Sequence, residues 1–80
     1  MKVKITNKKD KTDVYSLDLS KAFGVRCMED ALIVYFSGVD VMFSFPLKQY
    51  NFEEIEMTVD GTAHYIERSS EEIAELFLYD

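Results

Sequence analysis

The densest apolar segment of the chain, residues 31–45, constrains the fold more than any other stretch, because its pattern predicts two adjacent β-strands. Residues 31–36 are apolar without interruption, so both faces of this strand are apolar and we place it in the interior of the sheet. Ser37 and Gly38 form the predicted loop, since glycine at the second position accepts the positive φ of a tight hairpin turn. The second strand ends at Pro46, which has no backbone N–H to donate to a sheet.

The length of the loop decides which side chains of this hairpin face each other. A two-residue loop predicts three facing pairs on one apolar face: Phe36 with Val39, Val34 with Val41, and Leu32 with Phe43. The opposite face is mixed, with the predicted pairs Tyr35–Asp40, Ile33–Met42 and Ala31–Ser44. A four-residue loop leaves the two faces unchanged, whereas a three-residue loop would exchange them.

Alternation of apolar and polar residues predicts further strands at residues 2–6, 13–19 and 23–28. Ile55, Met57 and Val59 alternate with polar residues and predict another strand, while residues 47–54 are interpreted as a connection. Asp60-Gly61 is the strongest turn signal, and as a two-residue loop it pairs Met57 with His64, Ile55 with Ile66, Glu56 with Tyr65 and Glu54 with Glu67. The last pair joins like charges and is unfavourable.

The end of the chain predicts a helix. Ser69 as N-cap and Glu72 three residues later form a capping box, and acidic residues suit the first turn. Ile73, Leu76 and Phe77 then share one helical face. The alternative is that residues 76–79 form a last strand. The chain is therefore expected to be one domain, residues 1–80, of the mainly β (α+β) class. We expect an antiparallel meander of five to seven short strands, curled into a half-barrel or sandwich, with one short C-terminal helix.

The size and composition of the chain support a small domain with a real core. Its 80 residues are 48% hydrophobic and 14% aromatic, a composition that argues against disorder. The longest apolar run is far shorter than the roughly 20 residues of a transmembrane helix. The first residues do not resemble a signal peptide, and the single cysteine suits a reducing compartment. We therefore expect a cytoplasmic protein without membrane contact.

Residues that could carry out catalysis or bind a metal are few. His64 and Cys27 are the only histidine and cysteine, and no spacing around them marks a zinc site or a nucleophile with its base. The three glycines form no phosphate-binding loop, and Asp60-Gly61 lacks the preceding acids of a calcium loop. The expectation is a protein that is not an enzyme and that uses no metal or cofactor.

Charge is distributed unevenly along the chain. Residues 1–48 contain eight Lys or Arg and six Asp or Glu, whereas residues 49–80 contain one Arg and nine Asp or Glu. The net charge is therefore +2 in the first part and −8 in the second. Because an acidic chain repels phosphate, direct binding of nucleic acid is not expected. The predicted partner-binding residues lie in the acidic part: Glu53, Glu54, Glu56, Asp60, Tyr65, Glu67, Glu71, Glu72 and Glu75.

Two functions from different classes are compatible with this pattern. The first is a small acidic protein–protein interaction module, an inhibitor or adaptor of the kind made by phages or mobile elements. Its acidic half would bind a basic protein that handles nucleic acid, with carboxylates in place of phosphates. The second is a small-ligand-binding half-barrel with a pocket near His64, lined by Phe36, Phe43, Tyr35 and Tyr65. A homodimer through an exposed sheet edge is compatible with either function.

Overall fold

The computed structural model describes residues 1–36 and 41–79 and confirms the predicted mainly β class. Within these ranges the elements are β1 (Lys2–Asn7), β2 (Val14–Asp18), a 3-10 turn (Leu19–Lys21), β3 (Gly24–Cys27), β4 (Ala31–Phe36), β5 (Val41–Pro46), β6 (Tyr50–Met57), β7 (Ala63–Glu67) and α1 (Ser70–Tyr79). The strands form a four-stranded antiparallel sheet in the order β2-β1-β6-β7 and a three-stranded antiparallel sheet in the order β3-β4-β5. The two sheets are open and have the arrangement of a half-barrel or sandwich.

The hydrophobic core lies between the two sheets. Val3 and Ile5 of β1 and Leu32 and Val34 of β4 have no exposed surface. The other buried apolar side chains are Leu19, Val25, Phe45, Phe52 and Ile73. Burying a side chain of this size contributes about 1.5–3 kcal/mol, so the apolar residues on the inward faces of β1 and β4 drive the packing of the sheets.

An aromatic cluster connects the sheets at one end of the core. The ring of Tyr15 on β2 lies 5.9 Å from Phe43 and 5.1 Å from Phe45, both on β5. Tyr50 at the start of β6 packs edge-on against Phe45, with 5.4 Å between the ring centroids. Edge-to-face contacts of this kind stabilise aromatic pairs beyond the area that they bury.

The β4–β5 hairpin confirms the predicted faces but corrects the predicted pairs. Phe36 pairs with Val41 where Val39 was predicted, and Leu32 pairs with Phe45. This is the register of the four-residue alternative, which keeps the faces and buries Leu32 and Phe45 together. Ser37, Gly38 and the rest of the predicted loop lie outside the described residues.

The β6–β7 register is one position away from the predicted one. Glu56 pairs with His64 and Glu53 with Glu67, so the predicted Met57–His64 and Glu54–Glu67 pairs are wrong. The cause is the loop, which extends from Thr58 to Thr62 and is closed by a 2.9 Å bond from the Thr58 N–H to the Thr62 carbonyl. Because this loop has an odd number of residues, the faces of β7 are exchanged relative to those of a two-residue loop.

The predicted connection at residues 47–54 is also corrected. Only residues 47–49 form a turn, and β6 begins at Tyr50. Phe52 is buried opposite Ile5 because β6 pairs with β1 along its length. This pairing joins segments that are distant in sequence, and the local pattern around Phe52 does not reveal it.

The helix confirms the capping box, and the alternative of a last strand at residues 76–79 is wrong. The Glu72 N–H donates to Ser69 Oγ at 3.1 Å, and the Ser69 N–H donates to Glu72 Oε1 at 3.0 Å. Ile73 is fully buried, and α1 packs against β3. In residues 1–36 and 41–79, no helix has the length and apolar character needed to cross a membrane.

Candidate functional site

The structure places the nine predicted partner-binding residues in four separate environments. Glu53, Tyr65 and Glu67 lie on the outer face of the four-stranded sheet. Glu54 and Glu56 lie on the opposite face of β6, so the predicted grouping of these two with Tyr65 is wrong. Asp60 is in the β6–β7 loop. Glu71, Glu72 and Glu75 are on α1.

The outer face of the four-stranded sheet carries both signs of charge. Lys4 pairs with Glu53, which pairs in turn with Glu67, so a lysine lies in the same row as the two carboxylates. The Lys4 ammonium also lies 4.9 Å from the centre of the Tyr65 ring. A basic partner would meet a lysine at the middle of this face, which makes the face a poor acidic surface.

Two more of the predicted carboxylates are already paired with a cation. The Arg68 guanidinium lies 3.0 Å from Glu54 and 3.4 Å from Glu72. Hydrogen bonds with the Ser69 N–H and hydroxyl lower the pKa of Glu72 below its ordinary value, and the nearby Arg68 guanidinium lowers it further. Through Arg68, both carboxylates therefore help to hold the start of α1 against β6.

Asp60 has a structural role in its loop. Its carboxylate accepts hydrogen bonds from the Thr58 hydroxyl and, at 3.1 Å, from the Thr62 N–H. Both bonds lower the pKa of Asp60, and the bond from the Thr58 hydroxyl has the larger effect. The two bonds favour the ionised form of this side chain, and Gly61 follows with a φ of 86° that favours glycine.

Three acids remain. Glu56 lies opposite His64 on β7, whereas Glu71 and Glu75 line a surface groove between α1 and the β3–β4 turn. The groove has a volume of about 710 Å³. We call it the acidic groove and define it by Met28, Glu29, Leu47, Glu71, Glu75 and Leu78.

None of the described residues that line the acidic groove is Lys, Arg or His. Within the described ranges, Glu29, Glu71 and Glu75 make no side-chain hydrogen bond and no ion pair. Met28 and Leu78 add exposed apolar surface, at 47% and 75% exposure. The groove therefore combines uncompensated negative charge with exposed apolar side chains.

Glu29 and Met28 are site residues that the sequence did not indicate. Glu29 belongs to the turn that precedes β4, and Met28 directly follows β3. Neither stands out from its neighbours in the sequence. They join Glu71 and Glu75 only because α1 packs against β3, a contact between segments more than forty residues apart.

The two residues considered for catalysis lie on different sheets. Cys27 is on β3, where its thiol donates to the Ser70 hydroxyl at 3.2 Å. His64 is exposed on β7 opposite Glu56. In the part of the chain that the structure describes, no three His, Cys, Asp or Glu side chains are placed to bind a metal ion together.

The four residues considered for a small-ligand pocket are also separated. The rings of Phe36 and Phe43 lie 5.9 Å apart on the inner face of the three-stranded sheet. Tyr35 is on the outer face of that sheet, and Tyr65 is on the outer face of the other. The structure therefore does not bring these side chains together around one cavity.

Comparisons with protein-family models, with curated proteins and with solved structures find no match for this chain.

Proposed function

We propose that this chain is a non-enzymatic protein-interaction module, an inhibitor or adaptor, whose acidic groove binds a basic surface on a protein that handles nucleic acid. The observation that carries this proposal is the set of three uncompensated carboxylates, Glu29, Glu71 and Glu75, that line the groove together with the exposed apolar side chains of Met28 and Leu78. Of the other predicted acidic residues, Glu54 and Glu72 are paired with Arg68 and Asp60 is bound within its loop. Glu53 and Glu67 lie in a row with Lys4, and Glu56 lies singly opposite His64 on the other face of β6.

Electrostatics supports a basic partner for the groove. Glu71 and Glu75 lie one helical turn apart on α1, where like charges repel each other and weaken the free helix. Lys or Arg side chains from a partner would remove this repulsion. They would also speed association, because opposite charges steer the two surfaces together.

The exposed apolar side chains of the groove support a partner that is a protein. Charge alone gives fast but weak and salt-sensitive binding, whereas affinity depends on a few large side chains that lose contact with water. Met28 and Leu78 offer such surface beside the carboxylates. A basic protein surface with apolar side chains among its Lys and Arg residues would use both features.

The overall charge favours a partner that normally binds nucleic acid. The chain carries a net charge of −6 and would itself repel phosphate. Proteins that bind DNA or RNA present Lys and Arg in place for phosphates, and carboxylates can occupy the same positions. Occupying that surface would block the partner, which is the action of an inhibitor, or recruit it, which is the action of an adaptor.

The test compares two triple variants that change the net charge equally. One removes the charges of the acidic groove (E29Q/E71Q/E75Q), and the other removes charges on β6 and β7 (E53Q/E56Q/E67Q). Each tagged protein is used to capture partners from a lysate of the native host, at low and then moderate salt, with identification by mass spectrometry. Melting temperatures show whether the variants remain folded.

We expect the wild type and the β6–β7 variant to retain the same basic, nucleic-acid-binding protein, which rising salt releases. The groove variant should lose it. Equal retention by the groove variant, or equal loss by both variants, would contradict the proposal.

A further inference from the structure

A second depression adjoins the acidic groove, and Leu78 lines both. The second depression has a volume of about 460 Å³. We call it the apolar notch and define it by Phe23, Arg26, Tyr35, Phe77 and Leu78. Leu78 is therefore a ridge with carboxylates on one side and aromatic rings on the other.

The apolar notch contains two of the three most exposed large hydrophobic side chains among residues 1–36 and 41–78. Phe23 is 78% exposed and Leu78 is 75% exposed. Phe23 precedes β3, and its N–H donates to the Tyr35 carbonyl at 2.7 Å, so its backbone is tied to the sheet while its ring extends beyond the core. Contiguous exposed apolar side chains with a polar rim are typical of interaction sites.

Gly24 keeps the Tyr35 side of the notch open. A Cβ at this position would lie 3.7 Å from Tyr35 Cδ2, so a longer side chain would cover the tyrosine ring. Glycine is otherwise unfavourable within a strand, because it has no side chain to pack. Its presence here leaves the ring of Tyr35 accessible beside Phe77 and Leu78.

The acidic groove and the apolar notch differ in charge, so together they favour one orientation of a bound segment. Glu71 and Glu75 lie at the groove end, and Arg26 lies at the notch end. A basic group is attracted to the first end and repelled from the second. From Glu71 to Leu78 the helix rises about 10 Å, a distance that about three residues of an extended chain or about seven residues of a helix can span.

We propose that the apolar notch receives a large apolar side chain from the same partner segment whose Lys or Arg residues bind the acidic groove. The partner segment then has a basic end and, about 10 Å away, an aromatic or leucine-sized side chain. This inference rests on the proposed function. It adds the chemistry of the binding segment and its orientation along α1.

The test selects a displayed library of random short peptides on the intact protein and measures the affinity of an enriched peptide by calorimetry. We expect enriched peptides to combine Lys or Arg with Trp, Phe or Leu at a constant interval. Leu78→Ser and Phe23→Ser should each weaken binding about tenfold, as for a central apolar contact. Met57→Ser is the matched control, because Met57 is 57% exposed on the other sheet.

Failure of the inference differs from failure of the proposed function. If basic peptides are enriched but Leu78→Ser and Phe23→Ser bind them as the wild type does, the inference is overturned and the proposed function stands. If E71Q/E75Q leaves binding unchanged, both are overturned. A free protein that is a dimer by light scattering, and that Leu78→Ser converts to monomer, overturns the inference because a second copy then covers the notch. Absence of any enriched peptide also counts against it.

Discussion

Arg68 connects the end of β7 to Glu54 on β6 and to the first turn of α1. Its Nε and Nη2 atoms lie 3.1 Å and 3.0 Å from the same Glu54 oxygen, and Nη1 lies 3.4 Å from Glu72. The Arg68 N–H also donates to the Phe52 carbonyl at 3.0 Å. One residue therefore joins the four-stranded sheet to the helix that carries the acidic groove.

Replacing Arg68 with an uncharged residue should weaken the attachment of α1 to the four-stranded sheet. Arg68→Met leaves Glu54, a partly buried carboxylate, without its partner, and we expect a loss of about 1 kcal/mol in the free energy of unfolding. Urea denaturation measures the change. Arg26→Met is the matched control, since Arg26 is exposed on β3 and should change stability little. Equal losses in the two variants would show that the contact with Glu54 stabilises nothing.

The capping box should contribute separately to stability. Ser69→Ala removes the Oγ that accepts from the Glu72 N–H, and we expect a cost of about 1 kcal/mol. Thermal and urea unfolding report the change, and Ser44→Ala on the exposed side of β5 serves as the control. If both alanine variants unfold like the wild type, the cap does not stabilise the helix.

The parts of the fold that depend on neighbouring residues could be predicted from the sequence. The capping box requires only Ser69 and Glu72, and the faces of the β4–β5 hairpin depend only on the position of its turn and on the two-residue period of a strand. The register of β6 and β7 could not, because the Thr58 hydroxyl binds Asp60 and extends the loop beyond Asp60-Gly61. The pairing of β6 with β1 depends on a contact between Phe52 and Ile5, which no local pattern contains.

The candidate site was only partly predictable for the same reason. Glu71 and Glu75 were indicated by their spacing on the helix. The sequence does not reveal that Glu54 is paired with Arg68 or that Glu29 and Glu71 line the same groove. Both depend on which strands the chain brings next to α1. Composition shows that a surface is acidic, but only the tertiary packing shows which of its charges lack a partner.

The two glycines of the described residues should respond differently to alanine. Gly61 has a φ of 86°, and an added Cβ would meet no atom within 4 Å, so Gly61→Ala carries only the cost of the backbone conformation, about 1 kcal/mol. Gly24→Ala places a Cβ in ordinary contact with Tyr35 and should be neutral or slightly stabilising. Chemical denaturation of both variants measures the difference. A larger loss at Gly24 than at Gly61 would contradict this interpretation.

Ionised carboxylates in the loop and the cap should make stability fall in acid. The pKa of Asp60 is lowered by the Thr58 hydroxyl first, and the pKa of Glu72 by the Ser69 N–H first. Each of these two carboxyl groups has a lower pKa in the folded protein than in the unfolded chain. The stabilisation that each contributes is therefore complete above the unfolded pKa and is lost as pH falls through the folded pKa. Thr58→Val should raise the pKa of Asp60 and leave that of Glu72 unchanged, as measured by NMR titration of the carboxyl carbons. Parallel shifts at both sites would contradict the local cause.

Tyr50 should show the opposite dependence at high pH. Its hydroxyl donates to Asp13 Oδ2 at 2.6 Å, and Asn7 Nδ2 donates to the same oxygen at 3.1 Å, so the bond ties β6 to the β1–β2 loop. The hydrogen bond to Asp13 raises the pKa of Tyr50, because it is made by the protonated phenol.

A folded pKa above the unfolded value gives stabilisation that is complete below the unfolded pKa and is lost as pH rises through the folded pKa. Ultraviolet titration should therefore show a late component that ionises above the ordinary pKa of tyrosine. Tyr50→Phe should remove this late component and reduce the loss of stability in base, whereas Tyr65→Phe should leave both in place. If the late component persists in Tyr50→Phe, it belongs to another tyrosine. That result would contradict the interpretation that the hydrogen bond from Tyr50 to Asp13 connects β6 to the β1–β2 loop.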